Sequence, residues 1–170
     1  RNNMRIGYTN YHYRDLIEKI RSRIPNVSLS SDLIVGFCGE TDGQFEKSLQ
    51  LVKDIKFDKL HAAAYSTRKG TISDRMMTDD VPLETKKRRL EIIEDVQKGI
   101  LTESNASLEG KTFEILVEGR KRGKWFGRTR NDKLVYFQSE TSTKGEMIDV
   151  KIDDSSPWSL NGTRIQKVSL

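Results

Sequence analysis

The stretch from Ser30 to Thr41, reading Ser-Ser-Asp-Leu-Ile-Val-Gly-Phe-Cys-Gly-Glu-Thr, decides how the first half of the chain folds. Leu33, Ile34 and Val35 form a short, unbroken apolar run, the composition of a strand buried on both faces of a parallel sheet. Gly36 and Gly39 break that run with a turn whose backbone can take conformations closed to other residues. Thr41 and Gln44 have the spacing of a capping box, so a helix is expected to begin there. Asp32, near the strand's end, and Glu40, in the turn, then lie at the edge where parallel α/β folds bind ligands. A junction of this kind also occurs for purely structural reasons.

Towards the N-terminus, Thr9 can cap a helix in which Tyr13, Leu16, Ile17, Ile20 and Ile24 share a face until Pro25 ends it. Arg14, Glu18, Lys19, Arg21 and Arg23 form its solvated face. Beyond Thr41, Phe45, Leu49, Val52 and Ile55 repeat at helical spacing to about Lys56. A second strand is expected from Leu60 to Tyr65. Its Ala62, Ala63 and Ala64 suit either a crowded interior or the floor of a ligand site. The alternation of helix and strand calls for parallel pairing through right-handed crossovers. Two strands are too few for a sheet covered on both faces, which points to a piece of a larger α/β domain, or to a sheet completed by another copy.

The polar loop Ser66-Thr-Arg-Lys-Gly-Thr71 follows on the same rim as Glu40. Arg68 there could hold a carboxylate or phosphate, or simply meet solvent. Loop character is expected to Asp80. Pro82 then opens a long helix whose buried face is marked by Leu83, Leu90, Ile93, Ile100 and Leu101. The basic run Lys86 to Arg89 reads as a solvated face.

After Asn105 the period changes. Thr112–Glu118, Lys124–Thr129, Leu134–Phe137, Met147–Ile152 and Thr163–Val168 read as short strands of a small, closed or nearly closed OB-like barrel. The expected domains are therefore 1–104 and 105–170. Arg120, Lys121, Arg122, Lys124, Arg128 and Arg130 crowd into one hairpin with no acidic residue between them, and Trp125 and Phe126 lie among them. Cations neutralise phosphates and aromatics stack on bases, so the hairpin is a candidate RNA-binding surface. Alternation along the strand also allows Trp125 to pack in the barrel core.

The totals agree with a soluble, charged protein. Of the 170 residues, 35% are hydrophobic and 32% charged, with a formal net charge of +5. No apolar run approaches the roughly 20 residues that span a bilayer, and no signal-peptide pattern opens the chain. The opening Arg-Asn-Asn-Met-Arg reads as interior sequence. The single cysteine, Cys38, and the two distant histidines, His12 and His61, offer no metal site within the chain. A lone thiol suits a reducing, cytoplasmic setting.

Asp32-Leu-Ile-Val-Gly-Phe-Cys-Gly-Glu-Thr41, Tyr65-Ser-Thr-Arg-Lys-Gly-Thr71 and Gly127-Arg-Thr-Arg-Asn131, in that order, resemble the radical-SAM methylthiotransferases. The likeness is greatest to the MiaB-type tRNA enzymes, whose C-terminal barrel is the RNA-binding TRAM domain. Met4-Arg-Ile-Gly-Tyr-Thr9 is similar to the family's lead-in to the first helix. The resemblance implies an α/β fold: the C-terminal part of a (β/α) radical-SAM barrel followed by the TRAM barrel. It implies an enzyme that uses S-adenosyl-L-methionine (SAM) and 4Fe-4S clusters to add a methylthio group at C2 of an isopentenylated adenosine beside the tRNA anticodon. Asp32 would hold the ribose hydroxyls of SAM, Gly36 would leave room for the nucleoside, and Tyr65, Ser66 and Arg68 would line the mouth of the site. The implied partner is the tRNA anticodon stem-loop.

Two departures stand out. Cys38 replaces the family's usual proline and reads as a neutral substitution in a tight turn. The CxxxCxxC motif that holds the SAM-binding cluster is absent, as is the domain holding the second cluster, so the cluster ligands lie outside this chain. The chain thus looks like a C-terminal portion, inactive alone, and its cut barrel is expected to self-associate through Leu33, Val35 and Ala63. A related family branch modifies an aspartate on a ribosomal protein; Arg68 and the Trp158-Ser-Leu-Asn-Gly162 ending lean towards the tRNA branch. A free-standing RNA-binding module is the reading from another class.

Overall fold

A computed structural model of the chain describes residues 10–142 and 144–166. The expected Thr9 cap, the Met4–Thr9 lead-in and the end of the last expected strand, 167–168, lie outside those residues. Packing divides the chain into two units, Arg1–Glu94 and Asp95–Leu170.

In the first unit, α1 (Asn10–Arg23) precedes β1 (Ser30–Val35). Thr41 then caps α2 (Asp42–Ile55): its side chain accepts from the Gln44 N–H at 3.2 Å, and the Gln44 side chain accepts from the Thr41 N–H at 3.0 Å. The expected stripe of Phe45, Leu49, Val52 and Ile55 is buried. Lys56, left-handed at φ +53°, ends α2 and turns the chain into β2 (Lys59–Ala64). The two strands pair in parallel, with Asp32 opposite His61 and Ile34 opposite Ala63.

Among the described residues, only one sheet face is covered. Ile17, Leu51, Ile55 and Phe57 form a cluster against which Tyr13, Leu29 and Leu60 pack. Asp32, Ile34, His61 and Ala63 alternate onto the opposite, exposed face. The apolar run Leu33–Val35 is therefore not buried on both faces: Val35 is fully buried, whereas Ile34 is 45% exposed. Asp32 is also mid-strand, third of six residues, rather than near the strand's end. On α1, Ile17 is buried but Leu16 is exposed, as is Ile24 just past the helix end, because the covered stripe is narrower than the apolar one.

The loop beyond β2 contains a short helix, α3 (Ile72–Met76), where only loop was expected. Thr71 starts it by accepting from the Asp74 N–H at 3.2 Å. The long helix α4 (Leu83–Ala106) buries Ile93 and Leu101 but leaves Leu83 exposed in its first turn.

The second unit holds a closed barrel ordered β3-β4-β5-β7-β6. Its strands are β3 (Thr112–Lys121), β4 (Lys124–Thr129), β5 (Leu134–Gln138), β6 (Met147–Ser155) and β7 (Leu160–Ile165). All neighbours are antiparallel except β5 and β7. The last strand starts at Leu160, earlier than the expected Thr163, because Leu160 supplies the core. That core is Ile115, Val117, Val135, Phe137, Ile148, Val150, Ile152 and Leu160. Closure brings backbones close together: a Cβ at Gly127 would lie 2.1 Å from the Leu116 carbonyl oxygen, and one at Gly162 2.4 Å from that of Lys151. Gly127 is thus a packing requirement of the barrel.

Candidate functional site

The turn after β1 is fixed by its own backbone and by two buried cations. The Glu40 N–H donates to the Phe37 carbonyl at 2.8 Å, with Gly39 at φ +73°, as in a type II turn. Cys38 occupies the second position of that turn, one that proline also suits. The Asp80 carboxylate accepts from the Gly39 N–H at 2.7 Å. Gly36, at φ +70°, donates its N–H to Glu40 Oε1 at 2.9 Å.

Arg89 of α4, only 3% exposed, secures this turn. It donates to Glu40 Oε1 at 2.7 Å, to the Glu40 carbonyl at 3.1 Å and to Asp42 Oδ1 at 2.8 Å. One turn earlier on the same helix, Lys86 is 4% exposed. Its ammonium donates to the two Asp79 oxygens at 2.5 and 2.6 Å and to the Tyr65 carbonyl at 3.2 Å, and it lies 5.2 Å from the centre of the Tyr65 ring. The Lys86 stem passes over Gly36, where a Cβ would come within 2.4 Å of Lys86 Cγ. Burying a charge is costly unless it is paired and hydrogen-bonded; both cations are paired, with the Arg89 Nε alone of their nitrogens buried without a partner. The basic run is therefore not a solvated face: Lys86 and Arg89 are interior, while Lys87 and Arg88 are exposed.

Around this network lie the residues singled out from the sequence. The Asp32 side chain makes no hydrogen bond or ion pair among the described residues, and it stands beside Ile34 and across from His61 on the open sheet face. Tyr65 sits edge-on to Phe37 at 5.0 Å between ring centres, and its phenolic oxygen is buried without a hydrogen-bond partner. Ser66 and Arg68 are exposed. The space beside Gly36 is taken by Lys86 rather than left open. A cleft of about 810 Å³ runs between β1 and α2, along Asp32, Leu33, Ile34, Gln44, Ser48 and Leu51 to the Phe37–Glu40 turn, and its lining includes none of His61, Ala63, Tyr65, Ser66 or Arg68.

On the second unit, Arg122 and Gly123, at φ +49° and +79°, form a two-residue type I′ turn between β3 and β4. Lys121 and Lys124 face each other across it. Arg120, Lys121, Arg122, Lys124 and Arg130 are exposed and make no ion pair among the described residues. Arg128 differs: it lies 3.8 Å from Glu118 and 3.4 Å from Asp132, and donates to the Asp132 carbonyl at 3.1 Å. The two aromatics also part company. Trp125 packs against the barrel core, donates Nε1–H to the Ser139 carbonyl at 3.1 Å and carries the Arg120 guanidinium 5.8 Å from its ring centre. Phe126 lies over Gly119 and 6.3 Å from its cross-strand partner Tyr136, on the outer face.

Residues 106–165 match the TRAM domain family. A tRNA-2-methylthio-N(6)-dimethylallyladenosine synthase of Dehalococcoides mccartyi strain CBDB1 is 49% identical over 157 residues, covering 92% of this chain and 38% of its own length. Over nearly all its length the chain is similar to one part of this methylthiotransferase. The synthase of that name from Chloroflexus aurantiacus is 44% identical over 94% of the chain and 35% of its own length. For the one from Carboxydothermus hydrogenoformans the values are 41%, 95% and 37%. The chain thus spans under two-fifths of the length of these relatives. Among solved structures, a multidomain protein with nucleic acid binding domains from Streptococcus pneumoniae aligns at 14% identity over 38% of this chain and 25% of its own, with a TM-score of 0.33.

Within this chain, reading by motif found the turn but missed what holds it. The signal was present. Lys86, Arg89, Ile93 and Gln97 recur at spacings of three and four, so both cations share the buried stripe of α4. Tyr136 was missed because it carries no charge and lies outside the basic span; only its pairing with Phe126 brings it to the same surface.

Proposed function

We propose that the chain is the C-terminal portion of a cytoplasmic tRNA methylthiotransferase. In this reading, residues 1–104 are the last part of a radical-SAM (β/α) barrel, and residues 105–170 are a TRAM domain that grips the anticodon stem-loop of tRNA. The whole enzyme adds a methylthio group at C2 of an isopentenylated adenosine beside the anticodon. The observation that carries the reading is the 49% identity to an enzyme of that name over 92% of the chain.

In this reading the open face of the β1–β2 sheet takes the adenosine of SAM. Asp32 offers a carboxylate with no partner among the described residues, able to accept from both ribose hydroxyls. Ile34 and the small Ala63 beside it give an apolar floor for the base. Ser66 and Arg68 line the mouth, Tyr65 stands behind them against Phe37 with its phenol buried, and Gly36 shapes the turn. SAM, once bound, supplies the radical chemistry and the methyl group, and the 4Fe-4S clusters are held by thiolates outside this chain. On the barrel, Arg120, Lys121, Arg122, Lys124 and Arg130 neutralise phosphates while Phe126 and Tyr136 stack on bases. Trp125 and Arg128 support that surface from within it.

The test is mass spectrometry of tRNA nucleosides from a strain that lacks its own methylthiotransferase and expresses the full-length gene. The methylthio form of isopentenyladenosine is expected to appear. Its absence, with the same modification found on an aspartate of a ribosomal protein, would overturn the substrate assignment.

A further inference from the structure

Two loops leave the carboxyl ends of β1 and β2, and a single helix holds both. Lys86 binds the second loop at each end, through the Tyr65 carbonyl where the loop leaves β2 and through Asp79 just before α4. Arg89 binds the first loop through Glu40 and Asp42, and Glu40 in turn takes the Gly36 N–H. Asp80 closes the set by accepting from the Gly39 N–H.

We propose that Lys86 and Arg89 are positioning residues for the nucleoside site: one helical turn of α4 sets both strand-end loops, Lys86 fixing the segment that carries Tyr65, Ser66 and Arg68, and Arg89 fixing the Gly36–Glu40 turn. This inference rests on the reading of that face as the SAM site. Neither cation touches the ligand. Each acts by removing the freedom of a loop that otherwise has to be ordered on binding, which is how preorganisation raises affinity.

The pairs are unequal, and that chooses the variant. Lys86 is buried, whereas the Asp79 side chain is 29% exposed. Removing Asp79 strands a buried ammonium, while Lys86→Met removes the buried charge and leaves a carboxylate that water can reach. Lys86→Met therefore keeps the stem's packing over Gly36 but releases the loop.

The experiment is SAM titration by calorimetry into the full-length, cluster-loaded enzyme, wild type and Lys86→Met, with stem-loop affinity and melting temperature measured alongside. Lys86→Met is expected to weaken SAM binding about tenfold, in the range seen when orienting partners are lost. Stem-loop affinity should not change. Hydrogen exchange across residues 66–80 should quicken in the ligand-free variant. A SAM affinity within threefold of wild type overturns the inference, since a merely structural lysine would change the melting temperature alone. If Lys86→Met does not fold, Asp79→Leu combined with Lys86→Met replaces the pair by apolar contact and is read the same way. A wild-type enzyme that binds no SAM would instead sink the reading of the site, a separate result.

Discussion

At the scale of single residues, Cys38 shows how a turn can tolerate an unusual occupant. It sits second in the Phe37–Glu40 turn, where a fixed φ near −65° is welcome, and the turn's hydrogen bond comes from Glu40 rather than Cys38. Cys38→Pro is expected to raise stability by about 0.4–1 kcal/mol, by narrowing the unfolded ensemble. Urea unfolding at fixed pH reads that shift directly, and a loss of stability would show that the thiol packs specifically. The Thr41–Gln44 cap was legible in the sequence because its chemistry is local: two side chains and two amides within one turn. The partners of Lys86 and Arg89 were not. A run of four basic residues looks solvated until the helix's phase is compared with the acids at positions 40, 42 and 79, the first two of them nearly fifty residues away in the chain.

At the scale of elements, α1 and α2 are joined by Arg14 and Asp54 at 2.7 Å. Hydrogen bonds from Arg14, and then from Gln50, hold the Asp54 carboxyl below its ordinary range. A carboxyl with a lowered folded pKa contributes stability that is present above its unfolded pKa and fades as pH falls through the folded one. NMR titration should place Asp54 below the ordinary aspartate value, and Arg14→Gln should move it back up. The β3–β4 hairpin makes a sharper prediction, since its cations are of two kinds. Replacing Lys121 and Lys124 together by Ala should flatten the salt dependence of stem-loop binding by about 1.4–1.8 in log–log slope, one phosphate each. Arg128→Ala should leave the slope nearly unchanged, because Arg128 already faces Glu118 and Asp132. The strands of this hairpin were legible from alternation and the Arg122-Gly123 turn. Which aromatic faces outward was settled only by barrel closure, which turns Trp125 towards the core.

At the scale of the whole molecule, the described residues of the first unit leave one face of a two-stranded parallel sheet without a covering layer. Ile34, not Val35, is the large apolar side chain left exposed there, with Ala63 beside it. Among the described residues both strands also carry an unpaired edge, the usual route to unwanted pairing between chains. The chain by itself is expected to self-associate through this face, and Ile34→Lys should reduce that association. Light scattering across a concentration series distinguishes the outcomes, and a monodisperse monomer at high concentration would remove the prediction. The alternation of helices and strands announced the parallel pairing. It could not reveal that the face was bare, because an apolar run reads the same whether or not neighbouring strands lie over it. The change of period near Asn105 is likewise distinct from the division of packing at Glu94, since α4 runs unbroken through both positions.

The crossing of the Lys86 stem over Gly36 also bears on how such sequences can diverge. Positions 36 and 86 occupy one volume, so neither can drift alone: a side chain at 36 clashes with a long one at 86, and the left-handed backbone at 36 narrows the choice further. Homologous lineages should therefore change these two sites as a pair, with asparagine at 36 tolerated only where 86 has shortened to serine or alanine and the second loop has found another tether.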